Sequence, residues 1–417
     1  MPEFFNVLPP AEARQLLFEH IERVTGSETV SSAEALDRVT AEAVRSPQAL
    51  PAFRRSTMDG YAVRAADTYG ASSTLPAFLN VTGQVNMGET ADVELSAAEA
   101  AIVHTGGMIP ESADAVVQIE QTQIVAGQDG STPPFEIEVL KAVAAGQNVL
   151  QVGEDVSLGG DVLAAAHKVR PQDIGGLLAL GIVQLNVIRR PAVGIIATGN
   201  EIVAPDRDPS AGQIRDINSY TVAAQTMRAG GVPRLLGIVP DDLGALMAAA
   251  SSALEEHDML VLSAGSSVSV HDMTVQVIDA LGRPGVLLHG VATRPGKPTI
   301  VGAVEGKPIL GLPGNPVSAM VQFSMFGTPA IEWLQGLQRR QRQGIVWAKL
   351  DANVASESGR EDYVPAKVMD GQDGLVASPV FGKSNLIYTL VKADGLLKVP
   401  LNKAGLAAGE WVEIQLF

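Results

Sequence analysis

"PAVGIIATGNE", residues 191–201, decides the architecture. From Ala192 to Ala197 the run is apolar without a polar interruption, and Pro191 and the Thr198-Gly199 pair bound it. A strand apolar on both faces belongs in a parallel sheet covered by helices on each side. The chain then alternates. "NSYTVAAQTMRAG" has helical spacing, "PRLLGIVP" reads as a strand and "DDLGALMAAASSALEEH" as a helix. "DMLVLSAGSS" is a strand, "HDMTVQVIDALG" a helix, and "KPILGLPGNPVSAMVQFSMFG" runs strand, turn, helix. Repeated β-α units over about 186–331 predict a doubly wound α/β domain with a parallel sheet.

Ligands of such sheets sit beyond the carboxyl ends of the strands. The segments to read are therefore Thr198-Gly199-Asn200-Glu201, Pro240-Asp241-Asp242, Ser263-Ala264-Gly265-Ser266-Ser267 with His271-Asp272 after it, and Leu312-Pro313-Gly314-Asn315-Pro316. Thr198, Gly199, Ser263, Gly265, Ser267 and the helix starts offer hydroxyls and backbone N–H groups to phosphate oxygens. Glu201, Asp241 or Asp242, and Asp272 offer hard oxygen ligands suited to Mg²⁺. Plainer readings stand beside these. One of Asp241 and Asp242 is a helix N-cap, "SAGSS" is equally well a turn, and the two prolines of "LPGNP" suffice to stiffen a turn. "GVATRPGKPTIVG" places Arg294 and Lys297 around a Pro-Gly turn, a solvated turn in isolation and a source of local positive charge if it lies at the same edge.

Outward from this unit, "LPPAEARQLLFEHIERV" has helical spacing with Pro10 in its first turn. "SSAEALDRVTAEAV" predicts a second helix with Ser31 and Glu34 as a capping box. From Ser46 to about Val143 short β-rich runs broken by Gly and Pro predict a small β-domain. Residues 143–178 return as loop, turn and helix, and the last stretch, 332–417, reads as a C-terminal β-barrel or sandwich. Within the β-domain, "FRRSTMDGYAV" (53–63) sets Ser56, Thr57 and Asp59 between two arginines and a strand. Taken alone, its Met-Asp-Gly is an Asp-Gly turn.

Formal net charge is -16 over 417 residues, aromatics are 4%, and the only basic cluster is Arg339-Arg340-Gln341-Arg342. Nucleic acid is disfavoured as a partner. The absence of cysteine removes disulfides, thiolate nucleophiles and Cys-ligated zinc. "MPEFFNVLPP" lacks a basic segment before an apolar core, and no apolar run reaches spanning length, so the expectation is a soluble, cytoplasmic protein without a membrane partner.

"PAFRRSTMDGYAVRAAD", "HTGGMIPESADAVVQIE", "GIIATGNEIV", "GQIRDINSY", "RPGKP" and "GLPGNPVSAMVQF" together, in this order, resemble the molybdopterin molybdenumtransferase family, which comprises bacterial MoeA and the E domain of gephyrin. The resemblance covers essentially the whole chain. It implies an elongated homodimer of four-domain subunits. These are a discontinuous first domain (about 6–45 and 143–178), an inserted β-domain (46–142), a three-layer α/β molybdopterin-binding-like domain (179–331) and a C-terminal β-barrel domain (332–417). It implies Mg²⁺-dependent insertion of molybdate into adenylylated molybdopterin with release of AMP, alongside other molybdenum-cofactor biosynthesis proteins. Carried over by position, Asp59, Thr105, Glu201 and Asp272 are its catalytic residues, and Glu201, Asp241, Asp242 and Asp272 its metal ligands. Ser56, Arg294, Lys297, Pro313, Gly314, Asn315, Pro316, Arg360 and Ser384 join the strand-end residues on the substrate. The loop around Asp59 is then expected over the α/β edge of the partner subunit.

The chain departs from the family pattern at three places. Leu150 and Gln151 follow "GQNV" where an arginine is common, "SAGSSVS" replaces a Ser-Gly-Gly-Val-Ser loop, and Gly290 stands where some members have lysine. Fewer cations weaken oxyanion capture. A molybdopterin carrier without insertase activity and a tungstate-selective paralogue therefore stand as alternatives. An unrelated Mg²⁺-dependent phosphotransferase is disfavoured because no Gly-x-x-x-x-Gly-Lys-Ser/Thr loop is present.

Overall fold

The computed structural model describes residues 7–125, 132–264, 268–337 and 344–417, excluding the side chains of 264 and 268–272. The α/β unit runs β1 (Ala192–Thr198), α1 (Asn218–Arg228), β2 (Val232–Val239), α2 (Leu243–Glu256), β3 (Met259–Ala264) and α3 (Val268–Leu281). It continues with β4 (Pro284–His289), β5 (Ile300–Val304), β6 (Lys307–Leu312) and α4 (Pro316–Gln322). The sheet order is β2-β1-β3-β6-β5-β4.

The uninterrupted apolar run of β1 is explained by the period of two. Val193 and Ile195 face one core with Met259, Val261, Leu310 and Val222. Ile196 faces the other with Leu260, Leu262, Leu246 and Ile278. Each side is worth roughly 2–3 kcal/mol per buried Ile or Leu, so both faces must be apolar. Strands β2, β1, β3 and β6 are parallel. The expectation of a wholly parallel sheet is corrected at one edge, where β5 and β4 run antiparallel. The cause is local: Glu305 (φ 49°) and Gly306 (φ 79°) make a two-residue turn that returns β5 directly into β6.

Two further corrections concern the start of the chain. The helix Pro10–Phe18 packs Ala13 and Leu17 into the α/β core, and Phe18 stacks on Trp333 at 4.8 Å between centroids. The first domain is instead assembled from Ser27–Ser31 paired with Gln184–Ile188, and Val44–Arg45 paired with Asp161–Leu163. Ala35, Val169, Leu177 and Val187 lie in its core. The expected capped helix after Ser31 is only a 3₁₀ turn, Ser32–Glu34, without a side-chain cap. Ser32 N donates to Val183 O and Asp37 N to Val169 O, so pairing with the returning segment takes the backbone groups that a helix would need.

The inserted domain is a six-stranded sheet with Gly60–Val63 between Glu99–Val103 and Ala115–Gln118. In the C-terminal region Ile345–Leu350, Trp411–Leu416, Gly395–Val399, Glu361–Gly371 and Gly374–Pro379 close a barrel. A short strand from the α/β domain, Thr293–Arg294, pairs parallel with Glu361 and Asp362 at its edge. Among the described residues no helix is long and apolar enough to cross a membrane.

Where the first domain joins the sheet, Arg189 Nη1 and Nη2 donate to Asp258 at 2.6 and 2.7 Å, and Ala192 N donates to it at 2.8 Å. Burial alone would push the Asp258 carboxyl up, but Arg189 and the Ala192 N–H outweigh it and hold it below the usual range. A depressed carboxyl stabilises the fold fully above its unfolded pKa, near about 4, and loses that contribution as pH falls through the folded value. Asp258→Ala is expected to cost about 2 kcal/mol in urea denaturation. Asp258→Asn is expected to flatten the acid limb of the stability profile, and an unchanged limb would remove this lock from the account.

Candidate active site

The parallel direction of β1, β2, β3 and β6 brings their carboxyl ends to one edge, and side chains there bind one another across strands. Thr198, fully buried, donates its hydroxyl to Asp241 Oδ1 at 3.1 Å. Asn200 N donates to Asp241 Oδ2 at 3.4 Å, and Asp241 N donates back to Asn200 Oδ1 at 3.3 Å. Gly199 has φ +155°, and a Cβ there would lie 2.9 Å from Glu201 Oε2. The Glu201 carboxylate therefore folds over Gly199, at the end of the strand next to the one that leads to Asp241.

This geometry corrects several expectations. Thr198 turns inward, its hydroxyl donating to Asp241 where a contact with phosphate was expected. Asp242 is the N-cap of α2, accepting from Ala245 N at 2.8 Å, which leaves Asp241 as the acid of the pair that the strand-end residues hold. Ser263 is buried and accepts from Asn218 Nδ2 at 3.1 Å, so its role is internal too. Gly265 and Ser267 lie outside the described residues. Asp272 lies on α3, which follows β3, the neighbour of β1; its side chain is outside the description.

Asn218 is the residue that motif reading passed over. It stands at the start of α1, is buried, and its Nδ2 also donates to Gly314 O at 2.9 Å, tying the end of β3 to the turn after β6. Its Oδ1 and the Ser219 hydroxyl are buried with no hydrogen-bond partner among the described residues. The signal was the "INSY" of a stretch quoted for resemblance only. Beside it a cavity of about 450 Å³ is lined by Ile202, Val203, Pro205, Asp216, Ser219 and Tyr220.

A second cleft, of about 700 Å³, lies between the α/β domain and the barrel. Arg294, Lys297, Pro313, Asn315, Arg360 and Ser384 all line it, although 90 residues of sequence separate Arg294 from Ser384. Gly314 and Pro316 belong to the same turn at its wall. Lys383 lines it as well, an exposed cation in "FGKSN" that was overlooked beside Ser384. Arg360 is partly neutralised, with Nε 2.9 Å from Asp362 Oδ1 and Nη1 2.9 Å from Glu357 Oε2. Lys297 has no ion-pair partner among the described residues. The first free N–H of α4 is not open to a phosphate, since Val317 N donates to Ser384 O at 3.1 Å.

The stretch 53–63 is a structural hub with one exposed acid. Ser56 is 1% exposed, and its hydroxyl donates to Met58 O while accepting from Met58 N. Its expected contact with substrate is therefore corrected to a turn-closing one. Arg54 donates to Ala113 O and Pro110 O, and Arg55 lies over the Phe53 ring at 4.5 Å. Asp59 stands out from these. Its Oδ1 accepts from Thr105 N at 2.8 Å and from the Thr105 hydroxyl at 3.3 Å, with His104 Nδ1 at 3.7 Å. The Thr105 N–H is the main cause holding this exposed carboxyl below its usual value. Neither Asp59 nor Thr105 lines either cavity.

Among the described residues no three His, Asp or Glu side chains gather as a metal site. Glu201 and Asp241 are nonetheless hard oxygen donors at adjacent strand ends, a donor chemistry that suits Mg²⁺ and not a soft metal. Of the departures noted above, Gly290 has φ +109°, a backbone state that lysine adopts poorly. Leu150 is 37% exposed and pairs with Arg55.

Comparison with known sequences identifies the family. The MoeA N-terminal region (domains I and II) matches residues 8–181, the probable molybdopterin-binding domain 194–333, and the MoeA C-terminal region (domain IV) 347–417. The chain belongs to the MoeA family. A putative molybdopterin biosynthesis protein of Methanocaldococcus jannaschii is 35% identical, covering 99% of this chain and 98% of that protein. A molybdopterin molybdenumtransferase of Bacillus subtilis is 33% identical over 95% of this chain and 91% of its own. A crystal structure of the molybdopterin biosynthesis MoeA protein of Pyrococcus horikoshii superposes with a TM-score of 0.85 at 31% identity, covering 99% and 100% of the two chains. The multidomain, elongated MoeA fold with its C-terminal barrel is thus the fold of this chain. Its activity class is that of the molybdopterin molybdenumtransferases, with a role in molybdenum cofactor biosynthesis.

Proposed function

We propose that the enzyme inserts molybdate into adenylylated molybdopterin and releases AMP, using Mg²⁺ and acting as a homodimer in the cytoplasm. The observation that carries this reading is a shared sheet edge: Glu201 and Asp241 stand at the ends of β1 and β2, and Pro313 and Asn315, after β6 at that edge, line the cleft that holds Arg294 and Lys297. The cavity beside Tyr220 and Ser219 takes the organic part of the substrate, and Lys297, Arg294 and Lys383 take the oxyanion by charge. Glu201, Asp241 and Asp272 would hold the divalent ion, which when bound supplies positive charge at the phosphate oxygens.

Asp59 and Thr105 line neither cavity of their own chain; in this reading a partner subunit brings them to the edge. There Asp59, held as a carboxylate by the Thr105 N–H, would face the phosphate-bearing end of the substrate. Asp59→Asn is expected to lower molybdate-dependent AMP release by about 100-fold in a folded protein. An unchanged rate would remove Asp59 from the site. Leu150 and Gly290, uncharged where cations are common in the family pattern, favour one alternative, a carrier that binds adenylylated molybdopterin without turning it over. Titrating molybdate and tungstate against AMP release separates the readings, because a carrier binds without release and a tungstate-selective enzyme releases AMP with tungstate first.

A further inference from the structure

Two buried side chains grip the turn that carries Arg294 and Lys297 from opposite sides. Gln322, at the end of α4, is fully buried, and its Nε2 donates to Thr293 Oγ1 at 2.9 Å and to Pro295 O at 2.8 Å, the residues flanking Arg294. Gly296 (φ +102°) rests on it so closely that a Cβ would meet Gln322 Cγ at 2.4 Å. The chain passes from Gln322 straight into a π-helical turn, Phe323–Gly327, a rare element concentrated at functional sites. Gln322 Oε1 is buried without a partner among the described residues, a cost of about 1–3 kcal/mol that a purely structural residue at this place need not carry.

From the barrel side comes Asp362, 3% exposed. Its Oδ1 takes Arg360 Nε at 2.9 Å, and its Oδ2 lies 4.0 Å from Arg294 Nη1. Arg294 and Asp362 are register partners in the short parallel pair that joins the two domains. A negative charge at the floor of an anion cleft opposes anion binding by Coulomb repulsion. Its presence makes sense if fixing two guanidiniums from different domains lowers the ordering cost of binding by more than the repulsion raises it.

We propose that Asp362 and Gln322 are positioning residues that preset Arg294 and Arg360 as a single clamp for a tetrahedral oxyanion across the domain boundary. The inference rests on reading this cleft as the oxyanion site. The test is equilibrium binding of molybdate alone to the full chain. By charge alone Asp362→Asn would tighten binding; positioning makes it weaker by about fivefold or more. Gln322→Met, which keeps volume and removes the two hydrogen bonds, is expected to weaken binding likewise without a fall in melting temperature, and it carries the test if Asp362→Asn does not fold. Unchanged or tighter binding in the folded variants overturns the proposal. Lys297→Ala checks the underlying reading: if it leaves molybdate affinity intact, the cleft is not the oxyanion site. The Arg360 Nε–H resonance then still decides the positioning role, since it is expected to be sharp in the parent and broadened in Asp362→Asn; a sharp resonance in both overturns it.

Discussion

Asp241→Asn is expected to lower AMP release by about 100-fold or more, the usual scale for losing an acid that holds a catalytic metal. Both Asp241 oxygens are already oriented, one by the buried Thr198 hydroxyl and one by the Asn200 N–H. Asparagine at this place can keep one of these acceptors, but its amide group would face the donor it replaces. The reciprocal pair with Asn200 is then lost, at about 1 kcal/mol. The expected signature is a large fall in rate with a small fall in stability, and a rate partly restored by raising Mg²⁺. Full activity at low Mg²⁺ would show that the strand-end acids do not hold the ion, and the proposed site would fail with them.

Gly60→Ala is expected to destabilise the inserted domain by about 3 kcal/mol or more, the scale of a core overlap that cannot relax. A Cβ on Gly60 would meet the Val117 carbonyl oxygen at 2.0 Å, and that atom is backbone in a neighbouring strand. Gly60 pairs with Val103 on one side and Gln118 on the other, so the strand has no direction in which to yield. The consequence reaches the site through one peptide bond, because Asp59 precedes Gly60 and is held by Thr105 just past the paired strand. Limited proteolysis and circular dichroism should both report the loss. A variant as stable as the parent would mean that the two strands part more easily than their pairing implies.

The Asp-Gly pair shows how the two levels differ. Read locally it is a turn, but the chain only bends over 57–59 and Gly60 already pairs in the strand; the glycine is required by a carbonyl that lies almost sixty residues further along the chain. The capping box at Ser31 and Glu34 failed for the same reason, since strand pairing with residues near 183 claimed the backbone first. Strand β4 escaped notice because "PGVLLH" is short and its partner β5 returns through a hairpin that breaks the β-α rhythm.

From sequence alone came the α/β alternation, the inserted β-region and the barrel, and with them the placement of Glu201, Asp241, Ser263 and the Pro313–Pro316 turn at one edge. That follows because hydrophobic period is set by local geometry, and parallel strands necessarily end on the same side. Only the tertiary structure decided that Ser56, Thr198 and Ser263 turn inward while Asp59 and Glu201 do not. It alone brought Arg294 beside Asp362 and set Asn218 between β3 and the turn after β6. A hydroxyl or carboxylate takes whichever partner the distant chain presents to it, and no spacing along one segment encodes that choice.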